Sequence, residues 1–117
     1  MRPWLLAWLL AVVCGIGAST PALTAAPLQV EPKNWARELE PGWWEWGVYL
    51  DGVARELDKV KCVEYTLHPT FPNPVRTVCS RKTRFELNAK GWGTFTIRIK
   101  VLLQDGSVYH TEHPLRF

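Results

Sequence analysis

The chain is short of the residues on which most enzyme classes depend. Its 117 residues include three cysteines, three histidines and one methionine. It has no nucleophile elbow, no phosphate-cradling glycine loop and no paired carboxylates, so the usual hydrolytic, nucleotide-dependent and acid–base chemistries have no residues to run on. Glu56-Leu57-Asp58 reads as a charged connector. His110-Thr111-Glu112-His113 imitates a metal motif, but residues three apart on a strand point to opposite faces, so no metal site is expected there. No cofactor is expected either. Charge of one sign is also scarce: the net charge of +3 is too mild to specify a polyanionic partner, and nucleic acid is not expected. Internal repeats, low-complexity tracts and sustained helical periodicity are absent. The apolar run from Trp4 to Gly17 falls short of the roughly 20 residues a membrane span needs.

That run does fit another pattern. Met1-Arg2 precedes it, and small residues from Ala18 to Ala26 follow it. A basic start, a short apolar stretch and a small-residue exit describe a secretory signal peptide, placed here at residues 1–26 with cleavage between Ala18 and Ala26. The expectation is an exported protein, periplasmic or secreted. Retention of the segment as an anchor is the alternative, and the only membrane attachment foreseen. About 90 residues remain, a size at which a hydrophobic core alone is marginal. Cys62 and Cys79 form an even pair, which in an exported chain suggests a disulfide. Their midpoint falls at Thr70-Phe71; if the flanking segments pair antiparallel, the two cysteines meet across the strands. Closing such a loop contributes about 3 kcal/mol in the chain-entropy picture. Two separate buried thiols are the other possibility.

Residues 27–42 read as a lead-in broken by Pro27, Pro32 and Pro41, with a short helix around Trp35 to Leu39. The domain proper is expected over 43–117. Trp44, Trp46, Val48 and Leu50 alternate with polar or small residues, as do Val63, Tyr65 and Leu67. Further strands are expected at Val75–Cys79, Arg84–Leu87, Thr94–Leu103 and Val108–Phe117. Asp105-Gly106 is read as a two-residue type I′ hairpin turn. Short alternating strands with regular turn signals predict an all-β, antiparallel β-sandwich.

Two loops stand out. Leu67-His68-Pro69-Thr70-Phe71-Pro72-Asn73-Pro74 sets a ring among prolines, and Gly91-Trp92-Gly93-Thr94-Phe95 sets one between glycines. Phe71 and Trp92 are then either a clamp for a flat ligand or plugs for the core. The Trp43, Trp44 and Trp46 cluster is likewise either an aromatic patch for glycans or membranes, or partly core. From Arg76 to Lys100 seven cations face Glu86 alone, which is either a solvated face or an anion-binding surface.

The strings LHPTFPNP and GWGTFTIRIKV, followed by His113-Pro114-Leu115-Arg116-Phe117, resemble the YEATS domain family, in its bacterial branch, over about Trp43 to Phe117. The resemblance implies an immunoglobulin-like β-sandwich. Eukaryotic members bind acetylated or crotonylated lysine of histone tails in a channel between two aromatic rings. By that resemblance Phe71 and Trp92 are the two walls. Thr70 is the hydroxyl residue, His68 its support, and Gly91 and Gly93 bring the backbone close to the ligand. A basic histone tail would meet a basic segment here, and like charges oppose that pairing. The sequence therefore points to an exported, non-enzymatic binding module for a peptide or protein ligand, with acylated lysine the leading candidate. A structural module with its aromatics in the core, and a basic domain that binds envelope polyanions, are the alternatives.

Overall fold

Period-two alternation builds both layers of the molecule. In the computed structural model, which describes residues 27–117, β2 (Trp43–Asp51) turns Trp46, Val48 and Leu50 inward, all fully buried. β3 (Val60–Thr66) adds Val63 and Tyr65, and β6 (Thr96–Leu103) adds Ile97, Ile99 and Val101. With β1 (Glu31–Glu40), β4 (Val75–Val78), β5 (Leu87–Gly91) and β7 (Val108–Pro114), they form two sheets ordered β1-β2-β5 and β4-β3-β6-β7. Every ladder is antiparallel. The result is the expected immunoglobulin-like sandwich, with one helical turn, α1 (Ala54–Leu57), between β2 and β3. The pairing Val63↔Val78 brings Cys62 beside Cys79, and the two sulfurs are bonded across a sequence separation of 17. The signal-peptide expectation falls on residues 1–26, outside the described residues.

Three expectations need correcting. Trp35–Leu39 is not helical: β1 is a ten-residue edge strand, so this part of the presumed lead-in belongs to the sheet. Trp-Ala-Arg-Glu-Leu contains good helix formers, but pairing with β2 and cross-strand contacts such as Lys33–Asp51 (2.8 Å) and Arg37–Glu45 override propensity. Pro32 is tolerated because it lies near the start of an edge strand.

Arg84–Leu87 is not a strand either. Arg84 and Phe85 have φ of 57° and 59°, and β5 starts only at Leu87. Left-handed conformations at two residues that carry a Cβ cost about 1–2 kcal/mol each. They persist because the surroundings hold them. Phe85 is fully buried, its N–H donates to the Ser80 carbonyl (2.9 Å), and the Arg84 carbonyl accepts from Leu50 (3.0 Å).

The β6–β7 hairpin has a three-residue loop rather than a two-residue one. Gly106 N–H closes a turn on the Leu103 carbonyl (3.0 Å), and only Gly106, at φ 89°, is left-handed. This is a type I turn followed by a G1 bulge.

Candidate functional site

The proline loop between β3 and β4 is fixed by its own backbone. Leu67 N–H donates to the Pro74 carbonyl (2.8 Å) across its base, and Phe71 N–H donates to the His68 carbonyl (3.0 Å). Arg76 reaches up from β4 and donates to the carbonyls of Asn73 (3.2 Å) and Pro72 (2.9 Å). Its guanidinium lies 5.9 Å from the Phe71 ring centroid, within cation–π range. Phe71 itself is half-buried: it packs against Phe95 at 5.5 Å and edge-on to Trp46 at 6.2 Å.

His68 and Thr70 are coupled within this loop. The Thr70 backbone N–H points at His68 Nδ1 (3.3 Å), which makes Nδ1 an acceptor and puts the ring proton on Nε2. The Thr70 hydroxyl lies 2.9 Å from the same nitrogen, so it donates its single proton there. The oxygen's lone pairs remain open to an incoming N–H.

The second wall begins where β5 ends. Gly91 pairs with Trp44 of β2 and is buried beside Phe71; a Cβ there would stand 3.6 Å from the Phe71 ring. Trp92 follows on the β5–β6 loop with 77% of its surface exposed. Among the described residues Trp92 touches no other ring, so it and Phe71 face one space without filling it. That space is a cleft of about 340 Å³ whose lining includes His68, Thr70, Phe71, Gly91, Trp92 and Gly93. Nothing lies within 4 Å of a Cβ placed on Gly93, so packing does not demand glycine there.

Trp43, Pro72, Lys90, Thr94 and Phe95 also line the cleft and were not foreseen. The Trp44↔Gly91 pairing places Trp43 beside Trp92, a neighbourhood visible only once the strands are aligned. Phe95 continues the inward alternation of β6 but precedes the strand, at the cleft floor. The tryptophan cluster splits three ways: Trp46 is core, Trp44 stacks on Phe117 (4.7 Å), and Trp43 faces the cleft. The basic run is dispersed. Arg81 pairs with Asp58 (2.8 Å), Arg84 approaches Asp51 (3.7 Å), and Arg98 and Lys100 lie across the ladder from Glu112 and His110.

The family model for the prokaryotic YEATS domain matches residues 44–116. The chain belongs to this family. It is similar to the transcription initiation factor TFIID subunit 14 of Schizosaccharomyces pombe, at 37% identity over 79 residues, or 62% of this chain and 32% of that protein. It is similar also to the AF-9 homolog of Eremothecium gossypii, at 48% identity over 62 residues, or 51% of this chain and 29% of that protein. This YEATS chain thus spans about a third or less of these curated relatives. Among solved structures, the Yaf9 YEATS domain bound to H3K27ac aligns at 25% identity and a TM-score of 0.60, covering 80% of this chain and 78% of that one. The Yaf9 YEATS domain recognising an H3K122suc peptide aligns at 30% identity and a TM-score of 0.61, with coverages of 80% and 79%.

The export expectation is overturned by these comparisons. The relatives are a transcription initiation factor subunit and AF-9 homologs, none of them named as an exported protein. The reading in which the domain binds envelope polyanions depended on export and falls with it.

Proposed function

We propose that this YEATS domain is a non-enzymatic module that binds an acylated lysine in the cleft between Phe71 and Trp92. The observation that carries the reading is the Thr70 hydroxyl, committed as a donor to His68 and open as an acceptor at the cleft. An acyl-lysine is neutral and its amide is planar, so it enters between aromatic rings without the desolvation cost of an ammonium. Its amide N–H donates to Thr70 Oγ, and a backbone N–H beside Trp92 donates to its carbonyl. The complexes of the Yaf9 YEATS domain with acylated histone peptides support the ligand class. The rival in which the aromatics only fill the core accounts for the inner edge of Phe71. It leaves Trp92, 77% exposed, without a role.

Tryptophan emission titrated with acetyl-lysine and crotonyl-lysine peptides tests the proposal. Trp92→Phe should remove most of the ligand-dependent change. Thr70→Val keeps the shape, deletes the hydroxyl and should weaken binding about tenfold. Because Thr70 is exposed, the melting temperature of this variant should stay within about 4 °C of wild type. No emission change and no binding heat with either peptide would overturn the reading.

A further inference from the structure

The cleft is rich in aromatic rings and carries only positive charge. Lys90 lines it from the β5 side and is exposed. Arg76 is not itself a lining residue but lies over the Phe71 ring, its donors spent on the carbonyls of Pro72 and Asn73 rather than on a carboxylate. No lining residue is Asp or Glu. Glu45, the partner of Lys90 in the β2–β5 ladder, is bound to Arg37. Among the described residues neither Lys90 nor Arg76 forms an ion pair. Aromatic walls alone would also suit a cationic ligand. Lys90 in the lining and Arg76 beside Phe71, both free of ion pairs among the described residues, oppose one, and they oppose a basic peptide flanking the ligand for the same reason.

We propose that the cleft selects an acyl-lysine set among aspartate and glutamate residues, an acidic stretch of polypeptide rather than a basic tail. This rests on the acyl-lysine reading above and adds the partner's charge. The acyl group sits between Phe71 and Trp92, and the residues on either side of the modified lysine pass Lys90 and Arg76. Exposed ion pairs are individually weak, but reversing the sign of the flanks converts attraction into repulsion at both cations.

The test uses one acetyl-lysine placed in three otherwise matched fluorescent peptides, with glutamate, glycine-serine or arginine flanks, and reads binding by anisotropy. The glutamate peptide should bind about tenfold tighter than the arginine peptide at 50 mM NaCl. At 500 mM the gap should shrink to about twofold, because salt screens exposed charges. Lys90→Glu, at an exposed position, should erase or invert the order. Equal affinities, a preference for arginine flanks, or an order unmoved by Lys90→Glu would overturn the inference while leaving the acyl-lysine reading intact. If none of the three binds, or if the glutamate peptide binds equally well unacetylated, the acyl-lysine reading itself fails. A succinyl-lysine peptide with neutral flanks that matches the glutamate peptide would show the carboxylate being read inside the cleft, which overturns the assignment to the flanks.

Discussion

Tyr65 reaches across the core from β3 and donates its hydroxyl to the Phe85 carbonyl at 2.7 Å. Burial pushes its ionisation well above the ordinary phenol range, so it stays a donor under all working conditions. The bond anchors the stretch in which Arg84 and Phe85 are left-handed, on the approach to β5 and the cleft. Tyr65→Phe would leave that carbonyl buried without its partner. It should lower the unfolding free energy by about 1–3 kcal/mol in urea denaturation with an unchanged m-value. The contrast with Thr70 is one of setting: both side chains contribute one hydroxyl, but Tyr65 holds its bond inside the core, whereas Thr70 presents its oxygen at the exposed cleft.

At the scale of elements, Asn34 joins the edge strands of the two sheets. Its Oδ1 accepts from His113 Nε2 (2.8 Å) and from the Arg116 backbone N–H (3.1 Å), and its Nδ2 donates to the Arg116 carbonyl (2.8 Å). Burial, and then the neighbouring Arg116 cation, hold the His113 pKa below its ordinary value of 6.5. The unfolded chain therefore takes up this proton more readily than the folded one. The contribution is fully present above about pH 6.5 and is lost as pH falls through the depressed folded value. Melting temperature should decline from pH 7.5 to 5, and His113→Gln should flatten that decline. Asp51 and Glu56, held low chiefly by Lys33 and Lys59, weaken the fold in the same direction only at more acid pH. The same junction shows why some strands were legible and others were not. β2, β3 and β6 advertise themselves through large inward residues, whereas the inward positions of β1 are Pro32, Asn34 and Ala36, which leave no apolar alternation to read. β5 offers only Leu87, Ala89 and Gly91, and the two left-handed residues before it hide its start. In the cleft, the proline and glycine signals marked Phe71 and Trp92. Trp43 and Lys90 enter through the β2–β5 register, which sequence spacing does not reveal.

For the molecule as a whole, the Cys62–Cys79 bridge closes the segment that carries the proline loop. The chain-entropy estimate for a loop of this length is about 3 kcal/mol. Urea denaturation with and without reductant should differ by about that amount, with Cys62→Ser/Cys79→Ser matching the reduced protein. Such a difference is large for a domain whose total stability is on the order of 5–15 kcal/mol. The placement of the cleft has a consequence of its own. His68, Thr70 and Phe71 hang from the β4-β3-β6-β7 sheet, while Gly91 ends a strand of the other sheet and Trp92 leaves from it. An occupant is thus a crossbar between the two halves of the sandwich, and its binding energy resists their separation. At a hundredfold excess over Kd it would add about 2.7 kcal/mol against unfolding. Slowed amide exchange should then spread through both sheets rather than stay in the loops that touch the ligand.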